Sequence, residues 1–189
     1  MLAKILVADD IQVNLNLIIN ILKYDEQEYQ ILTAENGEKA FEIAQNEMPD
    51  VILIDWEMPV MSGIDALRKL KQTPSTANIP VIMVTAYTMP EYVQEAFEAG
   101  ASDYIKKPVN AVELRARLKS ALHLGQSVKT IREQNDKIES QINELQKLAL
   151  VAEKTPHSFI IISPEGFIEW ANKGFKYIHG YSMNECINL

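Results

Sequence analysis

The sequence has little of what marks a disulfide-stapled, membrane-spanning or disordered protein. Its single cysteine, Cys186, excludes a disulfide within the chain. No secretory signal pattern opens the chain, so we expect a cytoplasmic protein. Apolar runs such as Val51–Ile54 and Phe159–Ile162 fall far short of the ~18–20 residues that span a bilayer. The hydrophobic content of 47% is ordinary for a globular chain. We therefore expect a folded protein with no membrane partner.

Basic residues are scarce in the first part of the chain. Residues 1–110 carry 8 Lys and Arg against 17 Asp and Glu, a net charge of −9. Such an acidic domain repels phosphates, so we expect no direct nucleic acid partner. Residues 111–155 hold 8 basic against 6 acidic residues, a net +2, and residues 156–189 hold 2 against 3. The small positive excess is interpreted as a solvated helix surface.

Residues 1–110 alternate short apolar runs with amphipathic stretches. Strands are predicted at residues 5–8, 29–33, 51–54, 81–84 and 103–106, and helices at 13–23, 37–47, 63–71, 90–99 and from about 110. Three strands are continuously apolar, as expected of central parallel strands that are buried on both faces. The alternation predicts an α/β fold, a doubly wound (βα)5 parallel five-stranded sheet with its binding groups at the carboxyl ends of the strands.

Proline is absent from residues 111–155, and Gly125 is the one glycine. Counting Leu114 as position a of a heptad, the a positions are Leu114, Ala121, Val128, Asn135, Ile142 and Ala149, and the d positions are Arg117, Leu124, Ile131, Ile138, Leu145 and Ala152. From Leu124 to Leu145 every a and d residue is apolar except Asn135, and one polar Asn at an a position favours a parallel dimer. A helix of this length would reach about 65–70 Å. We expect a homodimeric coiled coil; a helix folded back on the preceding domain is the alternative.

The pattern changes to β after Pro156. Strand-like residues 158–162 and 167–171 flank a turn at 163–166, and a short helix is predicted at 172–178. Residues 156–189 are too few to fold alone, since below about 40 residues a domain rarely stabilises itself. We therefore expect the chain to end inside a domain.

Three carboxylates stand at predicted strand ends. Asp9 and Asp10 follow the first strand, and Asp55 follows the third. If the sheet order puts these strands side by side, all three carboxylates meet in one pocket. Like charges about 4 Å apart repel by about 4 kcal/mol at an effective dielectric near 20, so a hard divalent cation such as Mg²⁺ is then the expected neutraliser. A remaining carboxylate oxygen could then attack a phosphoryl group. Taken alone, Asp10 could equally cap the helix that begins near Ile11.

Two further strand ends carry a hydroxyl and a cation. Thr85 follows the fourth strand, and Lys107 follows the fifth. Acids, hydroxyl and ammonium at four separate strand ends suit phosphoryl transfer, in which catalysis is mostly positioning and charge neutralisation.

Residues 1–122 resemble the receiver domain of two-component response regulators. The matching segments are ILVADD at 5–10, DWEMPVMSG at 55–63, VTA at 84–86 and DYIKKP at 103–108. The resemblance implies that Asp55 is the phosphoacceptor and that a histidine kinase or phosphotransfer protein is the phosphodonor. It further implies that Asp9, Asp10, Asp55 and the Glu57 backbone carbonyl bind Mg²⁺. Thr85 and Lys107 would contact the phosphoryl group, Tyr104 would turn inward on activation, and the Lys107–Pro108 bond would be cis.

Residues from about 148 to 189 resemble the opening of a PAS domain. The matching segments are LALVAEKT at 148–155, FIIIS at 159–163, GFIEWAN at 166–172 and GYS at 180–182. Cys186 does not match the reactive cysteine of flavin-binding members, and no ligand is identified. The predicted organisation is a receiver at 1–122, a helical linker at 111–155 continuous with its last helix, and a PAS fragment at 156–189.

Two other functions compete with this interpretation. A haloacid-dehalogenase-like phosphatase would need an aspartate two residues after Asp55, where the chain has Glu57. A purely structural dimerisation scaffold would use the coil alone.

The remaining residues give further expectations. His123, His157 and His179 are interpreted as structural or surface residues. Glu57 and Tyr87 are expected to hinder water and to lengthen the life of a phosphoaspartate. The parent protein is expected to be a hybrid histidine kinase, with a cyclic-dinucleotide synthase or a serine phosphatase as further candidates.

Overall fold

The computed structural model describes residues 2–87, 89–181 and 185. The chain divides into two units, residues 1–131 and residues 132–189. The strands of the first unit are β1 (Ala3–Ala8), β2 (Tyr29–Ala34), β3 (Val51–Asp55), β4 (Val81–Thr85) and β5 (Asp103–Lys106). Its helices are α1 (Gln12–Lys23), α2 (Gly37–Glu47), α3 (Gly63–Gln72), α4 (Pro90–Glu98) and α5 (Ala111–Lys154), which continues into the second unit. Within the described ranges, no helix is both long and apolar enough to cross a membrane.

The five strands form one parallel sheet in the order β2-β1-β3-β4-β5. Every residue of β3 and β4 is buried, as their unbroken apolar sequences predict. The strand order reverses between β1 and β3, and ligands in open α/β sheets bind outside the carboxyl ends of strands at such a point. The predicted doubly wound parallel α/β sheet is thus confirmed, and Asp9 and Asp55 lie at its switch point.

Alternate side chains of the strands fill two separate cores. In β1, Leu6 points into the core beneath α2 and α3, while Ile5 points into the core beneath α1 and α5. This division follows from the strand period of two, which sends successive side chains to opposite faces. With helices covering both faces, the open carboxyl edge of the sheet is left for polar groups.

The first turns of α5 belong to the core of the first unit. Leu114, Leu118 and Ala121 are buried there, although the heptad assignment placed Leu114 and Ala121 in a coiled-coil seam. That part of the assignment was wrong, because the apolar stripe first packs on the sheet and turns to solvent only at Leu124, which is 54% exposed. From there on, the a and d residues with large apolar side chains are exposed: Leu124, Val128, Ile131, Ile138, Ile142 and Leu145.

The second unit holds the remainder of α5, an antiparallel hairpin and a short helix. The hairpin joins β6 (Ile160–Ile162) to β7 (Ile168–Ala171), and α6 spans Lys173–His179. Gly166 in the turn has φ 96°, a conformation that glycine adopts without steric cost. Assignment of this unit to a PAS domain stays a prediction. Cys186 and Ser182 lie outside the described residues.

Candidate functional site

The three predicted acidic residues meet at one edge of the sheet. Asp9 comes directly after β1 and Asp55 ends β3, and β1 and β3 are hydrogen-bonded neighbours. Asp9, Asp10 and Asp55 offer carboxylate oxygens that all lie within 4.8 Å of one another. Asp9 and Asp55 are buried, whereas Asp10 is exposed. Within the described part of the chain, no other group of three His, Cys, Asp or Glu side chains is placed to hold a metal ion.

Lys107 bridges the two buried carboxylates. Its Nζ lies 2.8 Å from Asp9 Oδ2 and 2.8 Å from Asp55 Oδ2. Because three carboxylates face one ammonium, the site keeps a formal charge of −2. The oxygen-only donor set and this charge fit a hard divalent cation such as Mg²⁺.

Backbone and amide donors hold the other carboxylate oxygens in place. Asp9 Oδ1 accepts hydrogen bonds from the Ile11 N–H at 2.9 Å and from Asn14 Nδ2 at 3.0 Å. Asp55 Oδ1 accepts one from the Trp56 N–H at 2.8 Å. The capping alternative for Asp10 is not what the structure shows, since Ile11 is the N-cap of α1 and no side chain caps it. Asn14 was not among the predicted site residues. Its position in the first turn of α1, shortly after Asp9, could have indicated that its amide reaches the acidic site.

Burial and charge act in opposite directions at this site. Burial raises the pKa of Asp55, while its hydrogen bond to Lys107 and the charge of Lys107 pull that pKa down and leave it above its ordinary value. Burial lowers the pKa of Lys107, but hydrogen bonds to Asp55 and Asp9 outweigh it and raise the pKa overall. The pairing of Lys107 with the two carboxylates thus opposes the effect of burial at both groups, and additional positive charge would further favour the anionic form of Asp55.

Thr85 ends β4 with its hydroxyl at the same edge. The residue is 3% exposed, and its Oγ1 accepts a hydrogen bond from the Tyr87 N–H at 2.9 Å. The Thr85 carbonyl accepts a bond from the Lys107 N–H at 2.8 Å, which joins the loops after β4 and β5. A hydroxyl that accepts in this way keeps its own hydrogen to donate. Thr85 and Lys107 thus lie at strand ends, as predicted, and the structure shows that β4 and β5 are neighbours. The Lys107–Pro108 peptide is cis.

Three aromatic rings pack together beside Asp55. Trp56 contacts Tyr92 edge-on, with ring centroids 5.5 Å apart, and the rings of Tyr87 and Tyr92 lie 4.8 Å apart. The Tyr87 hydroxyl lies near the Glu57 carboxylate, whose interaction with it raises the pKa of Tyr87. The two positions that we expected to hinder water therefore interact. Tyr92 and the contact itself were missed, because sequence spacing does not show which ring of α4 turns towards β3.

Tyr104 lies in β5, away from this aromatic group. Its ring is edge-on to Phe97, with centroids 6.2 Å apart, and the Arg117 guanidinium carbon lies 5.7 Å from its centroid. Arg117 in turn pairs with Asp103 at 2.6 Å and with Glu113 at 2.9 Å. The half-buried ring thus sits between α4 and α5, a position from which it could move. Arg117 had been assigned only to a heptad position.

Comparisons with known proteins agree with this geometry. A family model for the response regulator receiver domain matches residues 5–119. Response regulator PleD of Caulobacter vibrioides is 41% identical over 120 residues, which are 64% of this chain and 26% of PleD. The chain thus spans about a quarter of the length of that relative.

Two shorter proteins are covered almost completely. Sporulation initiation phosphotransferase F of Bacillus subtilis is 36% identical over 121 residues, 64% of this chain and 94% of that protein. A crystal structure of the receiver domain of a sensor histidine kinase from Pseudomonas aeruginosa, with a magnesium ion coordinated in its active site cleft, is 27% identical. It has a TM-score of 0.60 and covers 65% of this chain and 99% of that structure. Since the family match takes in well over half of the residues, the chain belongs to the response regulator receiver domain family.

Proposed function

We propose that Asp55 accepts a phosphoryl group in a Mg²⁺-dependent reaction and that the chain is a phosphorylatable switch. The observation that carries this proposal is the contact of Lys107 with Asp9 and Asp55, beside a third carboxylate from Asp10. A cluster that keeps a charge of −2 costs folding free energy, and a cation that approaches with a phosphoryl group offsets that cost. The donor is a histidine kinase or a phosphotransfer protein.

In the proposed reaction, a carboxylate oxygen of Asp55 attacks the phosphorus of a phosphohistidine. The new O–P bond forms as the P–N bond breaks, and the electron pair stays on the imidazole nitrogen, which takes up a proton. Lys107 pairs with the charge on the phosphoryl oxygens, and the Thr85 hydroxyl donates to one of them. Asp9, Asp10, Asp55 and the Glu57 carbonyl would hold Mg²⁺, which supplies further neutralisation of phosphoryl charge.

We further propose that α5 transmits the switch. The exposed apolar residues from Leu124 to Leu145 would form a parallel homodimeric coiled coil, with Asn135 as its polar layer. Movement of Thr85 and of Tyr104, which touches the α5 residue Arg117, would alter the start of that helix. The chain is organised as a receiver at 1–122, a linker at 111–155 and a PAS fragment at 156–189. We place it in the cytoplasm, without a nucleic acid partner, and a hybrid histidine kinase is the first candidate for the parent protein.

The test is phosphorylation of the full chain with acetyl phosphate and Mg²⁺, followed by intact-mass measurement and peptide mapping. We expect the mass of one phosphoryl group on Asp55, no adduct in Asp55→Asn, and loss of labelling with EDTA. Asp50→Asn is the matched control, because Asp50 is an exposed aspartate at the opposite end of β3. An unlabelled wild-type chain would favour the scaffold alternative, and steady turnover of phosphate monoesters would favour the phosphatase.

A further inference from the structure

Asn172 uses the whole hydrogen-bonding capacity of its side chain. Its Nδ2 donates to the Ala152 carbonyl at 2.7 Å and to the His157 carbonyl at 2.8 Å. Its Oδ1 accepts from the Phe159 N–H at 2.9 Å and from the Phe175 N–H at 3.0 Å. A side-chain amide has two donor hydrogens and two acceptor lone pairs, so all four are used. The residue is 3% exposed.

These four bonds connect separate elements of the second unit. Ala152 lies in the last turn of α5, where carbonyls have no partner inside the helix. Phe159 leads into β6, and Phe175 lies in the first turn of α6, of which Asn172 is the N-cap. The backbone N–H of Asn172 also donates to the Phe159 carbonyl at 3.1 Å. One residue thus joins the end of α5 to the segment 156–179, which we call the hairpin–helix module.

Gly174 permits close backbone packing at the same junction. A Cβ atom built on Gly174 would lie 2.1 Å from the His157 carbonyl oxygen and 3.0 Å from that of Pro156. Both are backbone atoms that cannot rotate away, so only glycine lets α6 approach this segment. Gly174 therefore sets the distance at which Asn172 can reach the His157 carbonyl.

Apolar packing does not hold the junction. Asn172 and Gly174 are the only buried residues among the described positions of the second unit. The side chains of Ile160, Ile161 and Ile162 in β6 are 41–54% exposed. The attachment of the module to α5 therefore rests on directed hydrogen bonds, which depend on relative position far more steeply than apolar contact does.

We propose that Asn172, seated by Gly174, is the positioning residue that couples the C-terminal turn of α5 to the hairpin–helix module. A rotation or shift of the helix end moves the Ala152 carbonyl. Since the same amide holds His157, Phe159 and Phe175, that displacement reaches the segment before β6, the hairpin and α6 together. That the displacement starts with phosphorylation of Asp55 rests on the proposed function; the junction itself does not.

The test compares Asn172→Asp with Asn143→Asp by hydrogen–deuterium exchange of the full, unphosphorylated chain. An aspartate at 172 still accepts from Phe159 and Phe175, but it donates nothing to the Ala152 and His157 carbonyls. We expect amides of residues 148–155 to exchange about tenfold faster and those of 174–179 to stay at the wild-type rate. Asn143 is exposed at an outer heptad position, so the same change there should alter neither region.

Two results would contradict the proposed role of Asn172 at this junction. One is an unchanged rate at 148–155 in Asn172→Asp, and the other is an equal acceleration at 148–155 and 174–179, which would mean general unfolding. Gly174→Ala is a second variant that leaves the amide intact. It should also speed exchange at 148–155, because the added methyl pushes the His157 carbonyl away; a wild-type rate would contradict the close approach.

A second arm adds acetyl phosphate and Mg²⁺, with occupancy of Asp55 measured by intact mass. We expect exchange at 158–175 to respond to phosphorylation in the wild type and not in Asn172→Asp at equal occupancy. An equal response in both, or no response in the phosphorylated wild type, would overturn transmission through Asn172. Absence of any phosphoryl group would contradict the proposed function and leave the first test standing.

Discussion

At the scale of single residues, the acidic site is held by one side chain. Asp9 and Asp55 are buried with like charge, and Lys107 at 2.8 Å from each is what makes that burial tolerable. A pair of buried carboxylates without it would repel by about 4 kcal/mol at 4 Å and an effective dielectric near 20. Packing does not require such an arrangement, since an apolar edge would fold more stably. We therefore interpret the cluster as a functional site.

Tyr87 is the residue with which to test control of the phosphorylated lifetime. Its ring packs on Tyr92, and its hydroxyl interacts with Glu57, two residues after Asp55. We expect Tyr87→Ala to speed loss of phosphate from Asp55 about three- to tenfold, because water then reaches the acyl phosphate with a barrier about 1 kcal/mol lower. The measurement is the decay of the phosphorylated mass after removal of acetyl phosphate.

Tyr87→Phe serves as the matched control because it keeps the ring and removes the hydroxyl that interacts with Glu57. A wild-type lifetime in Tyr87→Phe assigns the hindrance to the ring, and a short lifetime assigns it to the hydroxyl. If Tyr87→Ala decays at the wild-type rate, neither group hinders water and the hypothesis fails.

At the scale of elements, the start of α3 is packed against the end of β3. A Cβ atom on Gly63 would lie 1.7 Å from the Asp55 carbonyl oxygen, and the Gly63 N–H donates to the Trp56 carbonyl at 2.8 Å. Because the obstacle is backbone, the strand end that carries Asp55 must move if a methyl group is added. Gly63 in the segment 55–63 is therefore a positioning residue for Asp55, the proposed phosphoacceptor.

We expect Gly63→Ala to lower the free energy of unfolding by about 2–4 kcal/mol, as overpacking against backbone does. It should also slow phosphorylation of Asp55 about 100-fold, since a 1 Å misplacement has a cost of that order. Denaturant unfolding and the rate of labelling by acetyl phosphate measure the two effects.

Ser62→Ala separates destabilisation from misplacement. Ser62 caps α3 by accepting from the Asp65 N–H at 3.2 Å, and its loss should cost about 1 kcal/mol. Because Ser62 is the cap and not the contact, the labelling rate should change less than about twofold. Equal labelling rates in Gly63→Ala and the wild type would show that α3 does not position Asp55.

The elements themselves were predictable because their signals are local. β3 was predicted at residues 51–54 and spans Val51–Asp55, and α2 begins and ends where its periodicity placed it. The first and last residues of the elements were harder to predict, because the last apolar residue of a strand does not show where its hydrogen bonding ends. The acidic residues were predictable as strand-end groups, because parallel strands bring their carboxyl ends to one edge. That they form one cluster also depends on β1 and β3 being neighbours, which the structure shows.

Contacts between side chains of different helices were not predictable in the same way. Three contacts depend on which residue of a helical turn faces the sheet. They are the ring contact of Tyr92 with Trp56, the position of the Arg117 guanidinium over Tyr104, and the hydrogen bond from the Asn14 amide to Asp9. The heptad pattern also could not show that Leu114 and Ala121 pack on the sheet, because a core-facing stripe and a coiled-coil stripe have nearly the same period. Only tertiary packing separates the two.

At the scale of the whole molecule, α5 carries two apolar stripes in succession. Leu114 and Leu118 complete the core of the first unit, and from Leu124 onward the apolar a and d side chains are exposed. A sustained exposed stripe of this kind marks an interaction site. A second copy of the chain presents the same stripe, and Asn135 would face its counterpart in a parallel pair.

The coiled coil is tested by charge placed inside and outside the stripe. Ile138 is a d residue that is 52% exposed in the single chain, and Ser140 lies at an outer position two residues later. In a dimer, Ile138→Lys removes two apolar side chains from the seam and places two ammonium groups there. We expect the dissociation constant, measured by sedimentation equilibrium, to rise at least about 100-fold.

Ser140→Lys adds the same charge where it stays solvated, so dimerisation should be unchanged. Both variants should accept phosphate at Asp55 as the wild type does, because both positions lie beyond the residues that match the receiver family. A wild-type chain that sediments as a monomer at micromolar concentration, or equal weakening by both substitutions, would contradict the coiled coil and leave the phosphoacceptor site unaffected.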